Sequence, residues 1–111
     1  MGRALRLNAR MRALVLETPG ETPSMAVRER ALPSIGPSDV LVKVEAAGLC
    51  GHDVAVMRGL LRRGVRPNAV LGHEVSGRVA EAGDAVTSLR IGDAVVSALT
   101  TFCGNCDRCI S

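Results

Sequence analysis

The segment Gly72-His73-Glu74-Val75-Ser76-Gly77 combines an imidazole and a carboxylate with closely spaced glycines, and more glycines follow at Gly83 and Gly92. Nitrogen and oxygen donors of this kind bind zinc. A single histidine is more often a structural residue. His73, however, is preceded by a glycine and followed by a glutamate. The chain contains only one other histidine. A metal site is therefore the preferred interpretation of His73 and Glu74.

Upstream, Cys50 lies in the sequence Ala47-Gly48-Leu49-Cys50-Gly51-His52-Asp53. A lone cysteine is usually a small apolar core residue, and the residue alone leaves that alternative open. The flanking glycines allow close approach of a ligand or of the backbone. His52 adds a titratable group, and Asp53 adds a carboxylate that can orient a metal-bound imidazole. These neighbours favour Cys50 as a metal ligand.

Three more cysteines, Cys103, Cys106 and Cys109, are separated by two residues each. This spacing lets thiolates converge on one ion, and Gly104 and Asn105 suit the turn between the first two. A structural zinc site has four ligands, so the cluster offers one fewer than such a site needs. Disulfides or inert thiols are the alternatives, but a disulfide framework usually has an even, dispersed set of cysteines. The cysteines thus indicate two separate metal sites.

Together these motifs resemble the zinc-containing alcohol dehydrogenases of the medium-chain dehydrogenase/reductase superfamily. The family pattern Gly-His-Glu-x-x-Gly-x5-Gly-x-x-Val is met in full by Gly72, His73, Glu74, Gly77, Gly83 and Val86. The segment around Cys50 is similar to the family's first metal motif, and the three later cysteines are similar to its structural-zinc lobe. The resemblance runs from about Met11 to the last residue.

The resemblance implies a role for each matching residue. Cys50 and His73 would bind the catalytic zinc, with Glu74 beside it as an exchangeable ligand. Asp53 would accept a hydrogen bond from His73. A structural zinc would be bound by Cys103, Cys106 and Cys109.

The proton path departs from the family pattern. His52 stands where the family usually has a serine or threonine that passes on the substrate proton, and Ala55 stands where it often has a histidine. An imidazole can accept or donate a proton near neutral pH, so His52 could take over this role. We therefore expect His52, Asp53 and Glu74 to be the catalytic residues.

The reaction implied by the resemblance is oxidation of an alcohol or polyol, or reduction of a carbonyl, by hydride transfer with NAD or NADP. Zinc would act as a Lewis acid on the substrate oxygen. A non-catalytic zinc-binding module and a GroES-like interaction domain are the alternatives. The second of these leaves the cysteine and His-Glu motifs unexplained.

Five β-prone runs, separated by Pro and Gly turn signals, predict a mainly β fold. They are Ala13–Glu17, Ala26–Arg30, Val40–Ala47, Val75–Glu81 and Ala94–Ala98. One short helix is expected from His52 to Arg58. The resemblance implies an incomplete GroES-like β-barrel.

The 111 residues contain no Gly-x-Gly-x-x-Gly motif between a strand and a helix. The expected organisation is an extension or disordered arm over residues 1–10 and the N-terminal part of the GroES-like domain over residues 11–111. We expect the cofactor-binding Rossmann domain of the family to be absent from these 111 residues. By itself the chain is therefore expected to be inactive.

The net charge of +3 comes from Arg3, Arg6 and Arg10, because eleven basic and eleven acidic residues remain without them. The single aromatic residue, Phe102, and this charge balance argue against nucleic-acid binding.

No apolar run is long enough to span a membrane. Thiols in metal-binding spacing fit the cytoplasm. The expected partners are a small alcohol or carbonyl substrate and, by resemblance, further copies of the protein in a homo-oligomer.

A loop from Arg58 to Pro67 contains four arginines. Most such runs form a solvated face, which is the preferred interpretation. The alternative is that the loop borders the cleft and attracts an anionic substrate or a cofactor phosphate.

Overall fold

The computed structural model describes residues 9–98, 103–104 and 106–110. These residues form six strands and two short helices in the described part of the chain. In order they are β1 (Arg10–Thr18), β2 (Ser24–Ala31), β3 (Val40–Gly48), α1 (Gly51–Met57), β4 (Ala69–Val70), β5 (Glu74–Ala82), β6 (Ala94–Val96) and α2 (Asp107–Ile110). The predicted mainly β fold is confirmed.

The strands form two open, three-stranded antiparallel sheets, with orders β2-β1-β4 and β3-β5-β6. In the second sheet, Gly48 at the end of β3 pairs with Glu74 at the start of β5. That pairing brings the end of the Cys50 segment next to the His73-Glu74 segment. The sheet therefore joins two motifs that are more than twenty residues apart in the sequence.

The core is small and aliphatic. Alternate side chains of β1 face inward, so that Ala13 and Val15 are buried together with Leu16. Val79 of β5 and Val56 of α1 are the other buried apolar residues in the described part of the chain. Asp53 is the buried charged residue, with 3% of its surface exposed. The helix that carries Asp53 is therefore anchored on the core by Val56.

Two glycines of the family pattern are required by packing. A side chain at Gly77 would overlap the backbone carbonyl of Lys43 on the neighbouring strand. A side chain at Gly83 would overlap the carbonyls of Gly36 and Pro37, next to a backbone hydrogen bond of 2.9 Å from the Gly83 N–H to the Asp39 carbonyl. The two glycines let β5 pack closely against β3 and the preceding turn, and β5 begins at the candidate ligand Glu74.

Several predicted boundaries need correction. β1 already begins at Arg10, inside the predicted arm, while residues 1–8 lie outside the described residues. The helix α1 begins and ends one residue earlier than predicted, and β6 stops at Val96. The two-residue β4 was not predicted, because so short a strand shows no alternation. A second helix, α2, was also missed; its turn is closed by the N–H of Cys109 donating to the Cys106 carbonyl at 2.9 Å.

No helix in the described ranges has both the length and the apolar character needed to cross a bilayer.

Candidate metal centre

The beginning of α1 presents Cys50 to the site. Cys50 is the N-cap of the helix, with extended backbone, and its N–H donates to Asp53 Oδ2 at 3.0 Å. Asp53 is the third helical residue, where a carboxylate satisfies a free N–H at the start of the helix. The sequence Cys-Gly-His-Asp therefore fixes the position of the thiol through an ordinary helix cap.

The same carboxylate also binds the segment that precedes His73. The N–H of Gly72 donates to Asp53 Oδ1 at 3.2 Å. Gly72 has a φ of +95°, in the region that favours glycine. This conformation places the His73 backbone next to α1, so one buried carboxylate joins the two halves of the site.

The pKa of Asp53 is lowered despite its burial. Burial by itself raises the pKa of a carboxyl group, but the backbone N–H donors of Cys50 and Gly72 and the charge of His73 outweigh it. The carboxylate form is therefore the stable one in the folded protein. The Asp53 carboxylate therefore places a negative charge next to the backbone of Cys50 and Gly72.

Cys50, His73 and Glu74 bring their donor atoms together within 4.8 Å of one another. Cys50 Sγ lies 3.2 Å from His73 Nε2. Two such ligands on one tetrahedral zinc would be about 3.5 Å apart, from the usual Zn–S and Zn–N bond lengths. The sulfur, nitrogen and oxygen donors present therefore fit a zinc ion.

Glu74 reaches the site because the facing strand has no side chain there. A side chain at Gly48 would lie 2.9 Å from Glu74 Oε2. Glu74 is exposed, whereas Cys50 and His73 are half-buried. The carboxylate is thus the most accessible of the three candidate ligands.

Asp53 and His73 are farther apart than the expected hydrogen bond between them requires. His73 Nδ1 lies 3.7 Å from Asp53 Oδ1, which is an ion-pair distance and longer than a hydrogen bond. Both carboxylate oxygens instead accept backbone N–H groups. Asp53 positions His73 chiefly through the Gly72 backbone.

Ser97 is a contributor to the site that the sequence analysis missed. Its hydroxyl donates to the His73 carbonyl at 2.6 Å and accepts from the Val75 N–H at 3.0 Å. The hydroxyl thus holds the backbone on both sides of Glu74. A single serine after a short strand carries no sequence signal for this role, which depends on the pairing of β5 with β6.

His52 lies next to the candidate ligands. Its ring centroid is 5.5 Å from that of His73, with the planes tilted by 49°. Both histidines line a cavity of about 400 Å³ that also contains Asp53 and Arg66 in its wall. Ala55 is not part of that wall. The structure therefore places His52, and not Ala55, at the cavity.

The three later cysteines form a second cluster. Cys109 Sγ lies 3.5 Å from Cys106 Sγ and 3.8 Å from Cys103 Sγ. Two thiolates on one tetrahedral zinc are about 3.8 Å apart, whereas a disulfide requires about 2.05 Å. Gly104 has a φ of +74°, which provides the turn within the cluster. The spacing of the thiols fits a metal ion, and none of the four cysteines forms a disulfide. Asn105 lies outside the described residues.

Residues 36–111 match the alcohol dehydrogenase GroES-like domain family, and the chain belongs to this family. Zinc-type alcohol dehydrogenase B of Aspergillus flavus is 46% identical over 101 residues, which cover 90% of this chain and 22% of the relative. Sorbitol dehydrogenase of Halalkalibacterium halodurans is 39% identical over 102 residues, which cover 91% of this chain and 29% of the relative. The chain thus spans about a quarter of the length of these curated relatives.

Solved structures show the same fold. An alcohol dehydrogenase from Thermus sp. ATN1 has a TM-score of 0.81 and 39% identity, covering 90% of this chain and 28% of that chain. A zinc-binding dehydrogenase from Sinorhizobium meliloti 1021, bound to NADP, has a TM-score of 0.76 and 38% identity, covering 93% of this chain and 29% of that chain. These similarities confirm the GroES-like fold and the resemblance inferred from the motifs.

Proposed function

We propose that the chain provides the catalytic zinc site of a dehydrogenase that oxidises an alcohol or polyol, or reduces a carbonyl, with NAD or NADP. The convergence of the Cys50, His73 and Glu74 donor atoms carries this proposal. Support also comes from relatives that are named as zinc-type alcohol and sorbitol dehydrogenases. The cofactor would be bound by a separate Rossmann domain, since the matched segment makes up only 22% and 29% of these two relatives.

Each residue has a distinct task in this proposal. Zinc, when bound, supplies Lewis-acid polarisation of the substrate oxygen. Cys50 and His73 would hold the ion, and the exposed Glu74 would be the ligand that exchanges. Asp53 holds the Cys50 and Gly72 backbones in place, and Ser97 holds the His73 and Val75 backbones.

His52 is the proposed proton carrier. It lies in the cavity wall beside His73, and one of its ring nitrogens can accept a proton while the other donates. A non-catalytic zinc-binding module would give no reason for an accessible imidazole in a cavity that adjoins the ligands.

The second cysteine cluster and the state of the thiols lead to proposals about a structural zinc and about the location of the protein. Cys103, Cys106 and Cys109 would bind a structural zinc together with a fourth ligand. Four cysteines without a disulfide suit a reducing compartment, and we propose a cytoplasmic, homo-oligomeric protein that binds neither nucleic acid nor membranes.

Metal analysis of the full-length protein tests the two-site proposal. Cys50→Ala and Cys106→Ala should each lose about one zinc per chain, because a tetrahedral site that loses a thiolate binds its ion far less tightly. Only Cys50→Ala should also abolish alcohol oxidation directly. An unchanged zinc content in both variants, measured by elemental analysis after dialysis, would contradict the proposal.

A further inference from the structure

The loop from Arg58 to Pro67 has defined turns. Arg62 Nε donates to the Gly59 carbonyl at 2.8 Å, and the Val65 N–H donates to the Arg62 carbonyl at 3.2 Å. Gly64 has a φ of +79°. Pro67 restricts the backbone of Arg66 to extended conformations. These turns and Pro67 therefore limit the backbone conformations available to Arg66.

Arg66 differs from the other arginines of the loop in its position. It lies in the wall of the cavity that contains His52 and His73, whereas Arg58, Arg62 and Arg63 do not. Within the described residues, its guanidinium makes no hydrogen bond and no ion pair. An arginine with free donors thus faces the space beside the candidate zinc ligands.

The wall of the cavity offers hydrogen-bond donors to an anion at Arg66 and His52. Asp53 is the acidic residue of the wall, and both of its oxygens accept backbone N–H groups. Arg66 provides a permanent positive charge, and His52 provides a ring N–H. The remaining wall consists largely of Val56, Val65, Val70 and Leu71 with small residues. A volume of about 400 Å³ suits a small molecule.

We propose that this cavity binds an alcohol substrate that carries an anionic group, phosphate or carboxylate, with Arg66 as the residue that recognises the anion. The inference rests on the proposed dehydrogenase function, since it places the reacting hydroxyl at the His73 end of the cavity. A guanidinium fork forms two parallel hydrogen bonds with either anion, which makes Arg66 a specificity-determining residue.

Binding of inorganic phosphate to the zinc-loaded full-length protein tests the site without catalysis. Isothermal titration calorimetry should show that Arg66→Ala weakens binding by about tenfold or more, the usual effect of losing a charge-assisted hydrogen bond. Arg63→Ala removes the same charge from the same loop, outside the cavity wall, and should change the affinity by less than about twofold. Absence of phosphate binding, or equal weakening in both variants, would overturn the proposal.

Two further measurements separate the possible sources of the anion. Phosphate should still bind when NADP is saturating. If NADP abolishes phosphate binding, Arg66 binds a cofactor phosphate and the substrate assignment is wrong.

The ratio of kcat/KM for a polyol phosphate to that for the parent polyol should fall about tenfold in Arg66→Ala and stay constant in Arg63→Ala. An unchanged ratio would overturn the proposal. A protein that neither binds NAD(P) nor oxidises any alcohol would instead contradict the dehydrogenase function, independently of the phosphate titration.

Discussion

At the scale of single residues, position determines the chemistry. His52 and His73 are the two histidines of the chain, yet their surroundings differ. His73 lies within 3.2 Å of the Cys50 thiol and faces a buried carboxylate, whereas His52 is exposed at the cavity. The first is thus suited to bind a metal ion and the second to exchange protons with substrate or solvent.

His52→Ala in the full-length protein should slow alcohol oxidation by about a hundredfold, the usual contribution of a general acid or base. Zinc content should be unchanged, because His52 is not among the clustered donor atoms. His52→Ser should recover part of the rate, since a hydroxyl can also pass on a proton. Steady-state kinetics across the pH range provide the check. An identical pH profile in wild type and His52→Ala would assign the proton to another group.

At the scale of secondary-structure elements, the site depends on close strand packing. β5 carries Glu74 at its start and Gly77 three residues later, where the Lys43 carbonyl of β3 leaves no room for a side chain. Pairing of β6 with β5 then brings the Ser97 hydroxyl to the backbone of His73. Strand register therefore sets the relative positions of the candidate ligands.

Gly77→Ala should lower the free energy of unfolding by about 1–3 kcal/mol, because the added methyl group forces β5 away from β3. Gly51→Ala is the matched control, since its added methyl group would meet no atom within 4 Å. Urea unfolding followed by circular dichroism measures both variants. Equal stability of the two variants would mean that the close approach at Gly77 does not constrain the sheet.

At the scale of the whole molecule, few buried side chains hold the described part together. Val15 and Val79 are almost completely buried, while several other apolar side chains, including Val96 at 81%, are exposed. The Asp53 carboxylate adds a polar connection between α1 and the His73 segment. Loss of that connection is expected to affect stability as well as the metal site.

Acid should weaken the zinc-free protein through Asp53. Burial opposes ionisation of this carboxyl group, but the Cys50 and Gly72 N–H groups and the charge of His73 together lower its pKa in the folded state. The folded protein therefore binds fewer protons than the unfolded chain, and its stability falls as the pH drops below about 4 towards the lowered pKa.

Asp53→Asn should have lower stability at neutral pH and a flatter decline in acid than wild type. Asp84→Asn, at an exposed position, is the control and should follow the wild-type curve. Thermal melts in the presence of a chelator, at a series of pH values, measure the effect. A parallel decline of wild type and Asp53→Asn would show that other carboxyl groups control acid unfolding.

Much of the candidate metal centre could be predicted from local sequence because its candidate ligands occur in short motifs. The His73-Glu74 pair and the two-residue spacing of Cys103, Cys106 and Cys109 indicate donor sets before any fold is known. The alternation of apolar residues likewise predicts β1, β2, β3 and β5, since side chains on successive strand positions face opposite sides. These features depend only on neighbours along the chain.

Other features depend on contacts between distant segments, so only the tertiary structure decided them. Pairing of β3 with β5 and the Asp53 hydrogen bonds bring Cys50 to His73, although Cys50 alone resembles an ordinary core residue. The position of Ser97 against the His73 backbone follows from strand register, which a local pattern does not specify. Arg66 faces the cavity, and the other loop arginines do not, because the turns at Arg62 and Gly64 orient the loop.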